Sequence, residues 1–468
     1  MTIDDLLSTF AGFLPAQHIL TAAEDMKPFL KDWRHMFEGA AVCVLLPRSS
    51  QDVQRIVQIC AEAAVAIVPQ GGNTGLAGGA SPDSSGRSVV LSLVRMNRII
   101  DIDRTGLTVT VEAGVILDTL RAALAGVDRD LPISFAASGS ATLGGILATN
   151  AGGANVLRSG MAGRMVLGLE VVLADGTIVS ELSGLHKDNS GLNWMQLFVG
   201  SEGSLGIITR AVMRIETLRP HSATALLAVA DADAALQLYA RAVDRIGDRL
   251  AAFEIMSRDA IGRVERAFGL KCPIEAQRWL VLIETSSTSS YLEQDFAAFM
   301  EEAFESGLCA DGAIAASQSQ RQAFWRLREN LTEAEALSGR SVKHDISVPV
   351  SRMAEFLRRG ETLLADVSRQ TGATLNPHIF GHIGDGNLHY NILCDRPDAA
   401  GALNRAVHDL VVDCGGSITA EHGVGQYRLS EVYRLVSPAR LALQERIKAA
   451  LDPDMILNPG KLIRGDRP

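Results

Sequence analysis

Two glycine-rich tracts constrain this chain more than any other feature. The first is Gly71-Gly72-Asn73-Thr74-Gly75-Leu76-Ala77-Gly78-Gly79. The second is Ser138-Gly139-Ser140-Ala141-Thr142-Leu143-Gly144-Gly145, running on to Asn150-Ala151-Gly152-Gly153. The first directly follows a β-branched run, Ala66–Pro69. Glycines at such a place leave consecutive backbone N–H groups bare and permit φ > 0, which is what a phosphate needs for close main-chain approach. The first tract is not a Walker loop, nor is it Gly-x-Gly-x-x-Gly opening a helix, so a Walker-type nucleotide site is not supported there and an NAD fingerprint is absent. One such loop is more often a tight turn than a ligand site. Two in one domain point to a ligand with a pyrophosphate and two ends. Glycine overall is 43 of 468 residues, above the ~7% of an average protein.

A chain of 468 residues has room for two to four domains at roughly 100–200 residues each. With 44 Lys and Arg against 54 Asp and Glu, the net charge of −10 argues against nucleic acid or an anionic membrane as a partner. The six cysteines include no Cys-x-x-Cys pair and read as reduced thiols. No basic n-region precedes an apolar stretch at the start, and the best apolar run, Ala223–Ala242, is broken by Asp231 and Asp233. These features predict a cytoplasmic protein, at most peripheral to a membrane and with no transmembrane segment.

Along the first half, strands at Ala41–Leu46, Ala66–Pro69, Val89–Leu93, Ile99–Ile102, Leu107–Glu112, Gly168–Ala174 and Thr177–Ser180 alternate with helices at Ser50–Ala64 and Leu117–Leu124. Past Pro220 come longer amphipathic helices (Asp231–Ile246, Tyr291–Gly307, Gln318–Leu337) and the strand Arg278–Glu284. The expected organisation is residues 1–218, 219–425 and a helical tail, 426–468.

The glycine tracts also carry a resemblance. The run Pro69 to Gly79 resembles the pyrophosphate loop of the vanillyl-alcohol-oxidase type of FAD flavoproteins. Ala141 to Gly153 is similar to that family's second FAD tract, and Val199-Gly200-Ser201-Glu202-Gly203-Ser204-Leu205-Gly206-Ile207-Ile208-Thr209 to its third. The resemblance implies an α+β protein: a two-part FAD-binding domain with an α/β cap built on an antiparallel sheet, the tail returning to the FAD domain. It assigns FAD contacts to Gly71, Gly72, Asn73, Thr74, Gly75, Ser140, Thr142, Gly145, Asn150, Gly152, Gly153, Ile207 and Asn458. Members that tether flavin covalently through this loop carry His where Asn73 stands, so FAD is expected to be held non-covalently.

Six of the ten histidines (His344, His378, His382, His389, His408 and His422) lie between Lys343 and Gly425. Asp385-Gly386, between apolar-rich runs, reads as a two-residue hairpin turn. With those residues at the tip, Ile383 pairs with Leu388 and His382 faces His389 across the strands, near enough for both imidazoles to chelate one divalent ion. Asn391 then shares their face. A catalytic Zn²⁺-like site commonly adds a carboxylate, and Glu421, beside His422, is the candidate. Any one of these histidines alone reads as a hydrogen-bonded core residue.

His382, His389, Asn391 and Glu421-His422 further resemble the metal site of FAD-linked D-2-hydroxyacid dehydrogenases. Arg328-Glu329-Asn330-Leu331-Thr332-Glu333-Ala334 and Lys343-His344-Asp345 are most similar to the D-2-hydroxyglutarate dehydrogenases among them. The resemblance makes His382, His389 and Glu421 ligands of a metal, usually zinc, and puts His422 by the substrate hydroxyl as general base. It makes Arg328, Lys343 and Asn391 carboxylate-binding groups and Thr332 a contact to the distal end. The match is incomplete from Glu333 to Val342. The expected activity is metal-assisted oxidation of a D-2-hydroxy acid, D-2-hydroxyglutarate first, by hydride transfer to flavin N5. D-lactate or glycolate dehydrogenation is the alternative on the same scaffold, and a metal-dependent hydrolase the rival outside it. Without an NAD motif, the electron acceptor is expected to be an electron-transfer flavoprotein, a quinone or a cytochrome; a homodimer is the assembly considered.

Overall fold

Alternating β-branched and helical stretches in the first half fold as one compact unit, residues 1–153, 161–218 and 421 onward. The computed structural model describes residues 1–275 and 277–465; the end of the expected tail, 466–468, lies outside the described residues. Strands Val44–Leu45, Ser88–Ser92 and Ala66–Gln70 run parallel, with Ile19–Leu20 antiparallel at the edge. The helix Ser50–Glu62 starts where Ser49 Oγ accepts the N–H of Asp52 at 3.1 Å. Its buried Val53, Ile56 and Val57 pack with Ile67, Val89 and Leu91, each worth about 1.5–3 kcal/mol of burial. An antiparallel sheet of Ile99–Asp103, Thr108–Glu112, Ile207–Arg214, Val166–Val172 and Ile178–Glu181 has its own core around Val109, Leu143 and Leu169.

The tail closes this unit. After the helix Pro438–Leu451, Ile456 O accepts the N–H of Ile67 at 2.7 Å, and Asn458 N–H donates to Ile67 O at 2.8 Å. Beneath it Lys448 is buried, its Nζ donating to Ser204 O at 2.7 Å, to Leu457 O at 2.8 Å and to Asp452.

The second unit comprises residues 154–160 and 219–420. Its antiparallel sheet runs Asp311–Ile314, His221–Val229, Trp279–Ser287, Leu250–Ser257, Leu375–His382, Asn387–Cys394 and Ser341–Val342, with Asp345–Ser347 also paired to Asn387–Cys394. The apolar run Ala223–Ala242 is not one element: it is the end of a strand and a helix, Ala232–Ile246, started by Asp231, whose Oδ1 accepts the Ala234 N–H at 2.8 Å. Among the described residues no helix is long and apolar enough to cross a membrane. The single helix expected over Gln318–Leu337 is two, Gln318–Glu329 and Leu331–Ser338. Asn330 breaks it: its side-chain amide donates back to Arg326 O at 2.7 Å, competing with the helical ladder.

Candidate active site

The sheet of the second unit sets out the histidines, and it corrects the expected hairpin. Residues Ile383–Asp385 form a 3-10 turn closed by Gly386 at φ +81°, so the connection is four residues and not two. His382 therefore pairs with Asn387, and His389 falls opposite Phe380. The pairing is shifted by two residues, which preserves the face of every side chain. His382 and His389 are diagonal neighbours on one face, their ring centroids 6.4 Å apart, and Asn391 follows on that face opposite His378.

Two buried glutamates that sequence reasoning passed over organise this face. Glu254, fully buried, lies directly across from His382 in the neighbouring strand. One carboxylate oxygen is 2.5 Å from His382 Nδ1, and the other accepts Arg328 Nε–H at 2.7 Å. Arg328 Nη2 stands 3.4 Å from His382 Nε2. Burial works to raise the Glu254 carboxyl, but the charges of His382 and Arg328 outweigh it and hold the group at about 2. The Arg328 guanidinium lies 4.7 Å over the Phe380 ring, which packs 4.7 Å from the ring of His389.

Glu335, also fully buried, accepts Asn391 Nδ2–H at 2.8 Å and Lys343 Nζ–H at 3.4 Å through one oxygen. Its other oxygen is without a partner among the described residues. Asn391 Oδ1 in turn accepts the His344 N–H at 3.0 Å. So Arg328 and His382 share one carboxylate, and Lys343 and Asn391 another. Thr332 stands on the exposed side of its helix and is not drawn into either cluster. A lone Glu within Leu250–Met256, an otherwise apolar strand, was the readable signal for Glu254. Glu335 sits in the helical run where the resemblance is incomplete.

Three of the six clustered histidines are core residues. His344, His378 and His408 are buried, and His344 and His408 meet edge to face at 5.5 Å. His378 Nε2 donates to Leu331 O at 3.0 Å, and burial pushes its pKa down to about 3. Ala420, the last residue of this unit, donates its N–H to Asp345 O at 3.1 Å, and Asp345 pairs with His389 across the ladder. Glu421 and His422 are the next two residues of the chain.

In the first unit the two glycine tracts meet. A Cβ on Gly71 would stand 2.2 Å from Thr142 Oγ1, and one on Gly72 only 1.9 Å from Ser140 O. Only glycine permits that approach. Thr142 Oγ1 is buried without a partner among the described residues, a polar group suited to a phosphate or flavin acceptor. Asn73, at φ +53°, latches the loop by donating to Pro28 O and Lys31 O at 3.2 and 2.8 Å. Asn150 Oδ1 accepts the Gly163 N–H at 2.9 Å, and the Gly153 N–H donates to Glu421 Oε1 at 3.0 Å. Ile207 packs its side chain into the core of the parallel sheet. Both amide hydrogens of Asn458 are taken, by Gly79 O at 2.9 Å and Glu202 O at 2.7 Å. Glu202 also accepts the N–H groups of Val424 and Gly425 at 2.7 and 2.8 Å.

Two known protein families match the chain. Residues 41–181 match a family described as FAD binding domain, and residues 218–462 match FAD linked oxidases, C-terminal domain. The chain belongs to the FAD-linked oxidase family. A Xanthomonas citri pv. viticola protein named D-2-hydroxyglutarate dehydrogenase is 36% identical to this oxidase-family chain, covering 96% of it and 95% of the relative. A Schizosaccharomyces pombe protein bearing the provisional name of a mitochondrial D-lactate dehydrogenase is 35% identical over 95% of this chain and 86% of its own. The fold is that of the vanillyl-alcohol-oxidase type: p-cresol methylhydroxylase superposes with a TM-score of 0.75 at 18% identity, covering 99% of this chain and 98% of that one.

Proposed function

We propose that this protein oxidises a D-2-hydroxy acid, foremost D-2-hydroxyglutarate, to the 2-oxo acid, with non-covalently held FAD as the hydride acceptor. The carrying observation is the shared carboxylate of Glu254, which keeps the Arg328 guanidinium beside the His382 ring. An α-hydroxy acid has a carboxylate one bond from the reacting carbon, and so needs an anion-binding group beside the group that handles its hydroxyl. The names of full-length relatives support the substrate class.

Arg328, Lys343 and Asn391 take the α-carboxylate, and Thr332 the distal end. His422, as general base, takes the hydroxyl proton while the Cα hydrogen leaves with its electron pair, so the alcohol loses two electrons and becomes a ketone. FAD, when bound, supplies the two-electron acceptor at its N5. The fit of Gly71, Gly72 and Thr142 supports their place against its pyrophosphate, and Asn73, an amide engaged with backbone carbonyls, supports non-covalent binding. A divalent ion such as zinc, held by His382, His389 and Glu421, supplies when bound the Lewis acidity that eases deprotonation of the hydroxyl. Electrons then pass to an electron-transfer flavoprotein, a quinone or a cytochrome.

Anaerobic mixing with D-2-hydroxyglutarate should bleach the flavin bands. A colourless protein that takes up no added FAD, or a flavin untouched by any D-2-hydroxy acid, ends the reading. In His422→Ala, bleaching should slow at least ~100-fold, and an unchanged rate rejects the base. One second reading is a shorter monocarboxylate such as D-lactate, because Thr332, the contact expected for the distal end, stands on the exposed side of its helix and joins neither carboxylate cluster. The ratio of kcat/KM for D-2-hydroxyglutarate to that for D-lactate decides between them.

A further inference from the structure

We propose that Glu254 is a positioning residue: it fixes which ring nitrogen of His382 is available to a metal ion and aims Arg328 beside it. This deepens the reading of His382, His389 and Glu421 as ligands of a divalent ion and rests on it.

A carboxylate only accepts hydrogen bonds, so the His382 nitrogen facing Glu254 must carry the hydrogen. That nitrogen is Nδ1. In the neutral ring the lone pair is then left on Nε2, the nitrogen that faces the Arg328 guanidinium. The opposite tautomer would set Nε2–H against a donor and leave a buried carboxylate without its second partner. Both Glu254 oxygens are engaged, one by each residue, and the side chain is enclosed by the sheet, so neither contact can rotate away without stranding a charge. The effect reaches the second imidazole. Arg328, anchored by Glu254, covers one ring of the Phe380–His389 stack. One acidic residue on the adjacent strand thereby sets the tautomer of one candidate ligand and backs the other. Carboxylates that hold a ligating histidine in this way commonly contribute 10–100-fold in metal affinity.

The test uses the full-length protein carrying Glu254→Gln or Glu254→Asp. Zinc retained against a graded chelator is measured by elemental analysis, with the flavin spectrum as the control for folding. A glutamine can turn its NH₂ toward His382 and so favour the wrong tautomer. Glu254→Gln should therefore hold zinc about 10–100-fold more weakly at unchanged flavin content, and Glu254→Asp should recover part of the loss. Wild-type zinc affinity in Glu254→Gln overturns the positioning role and leaves the metal reading intact. A wild-type protein that binds no zinc overturns both. Should the variants lose flavin and aggregate, the wild type still decides. Its metal-free ¹⁵N-histidine spectrum, taken at alkaline pH and assigned with His382→Gln, should give His382 as Nδ1–H, and an Nε2–H ring overturns the proposal.

Discussion

Among the clustered histidines, burial with a backbone partner marks His344 and His378 as core residues. His378 is enclosed, donates its Nε2–H to Leu331 O, and has its pKa pushed down by burial to about 3. An unfolded histidine titrates near ~6.5. The folded pKa is thus depressed, and between pH 6.5 and 3 the unfolded chain binds the extra proton. The stability His378 contributes is complete above pH 6.5 and is lost as pH falls through that window, at up to roughly 1.4 kcal/mol per pH unit. Denaturant titrations at stepped pH should show the wild type losing stability faster over this range than His378→Gln. Parallel curves reject the assignment. At this scale the sequence was legible for residue type and opaque for partners. His382 and His389 stood out because they flank an Asp-Gly turn, and Asn391 because strand alternation puts it on the face of His389. Glu254 is contiguous with nothing it touches: Arg328 is 74 residues away and His382 128. No local pattern encodes a contact of that kind.

The hairpin Leu375–Cys394 is the element on which the candidate site depends. Its strands and its Gly-containing turn could be read from apolar alternation and Asp-Gly, but the turn length could not, since a 3-10 turn ending in a left-handed glycine uses the same residues as a two-residue turn. Gly386 is the switch between the two. A Cβ there would stand 2.1 Å from Val348 O, at a φ of +81° that L-residues rarely adopt. Gly386→Ala should cost about 2 kcal/mol or more, read as a shift in the denaturation midpoint. A variant as stable as wild type would mean the turn is not held as described. The same reasoning explains the split of the helix expected over Gln318–Leu337. Its apolar period continues through Asn330, and only the back-bond from that side chain to Arg326 O marks the break.

For the whole molecule, the glycine tracts specified the amino-terminal architecture because close backbone approach leaves few alternatives. That the tail is part of the same core is implied only by the family resemblance those tracts carry, and not by their spacing. Lys448 and Asp452 form a buried ion pair within the tail, and burial lowers the lysine pKa. Lys448→Met should destabilise this unit by roughly 3 kcal/mol, the lower end for an orphaned buried charge. The figure is low because Asp452 keeps the N–H groups of Ile456 and Leu457 at 3.0 and 2.8 Å. Adding Asp452→Asn should return part of that loss, and a double variant no better than the single one would rule out charge as the cause.

The chain leaves its first compact unit after Leu218 and does not come back until Glu421. On a ribosome, the strand containing Ile67 is made before residues 219–420, and the stretch that bonds to it, Ile456 to Asn458, after them. The cap's residues are all translated before that happens. The nascent amino-terminal half must therefore wait, with part of its apolar interior uncovered, through the synthesis of everything between, and it is the stage of biogenesis at which a chaperone has the most to protect.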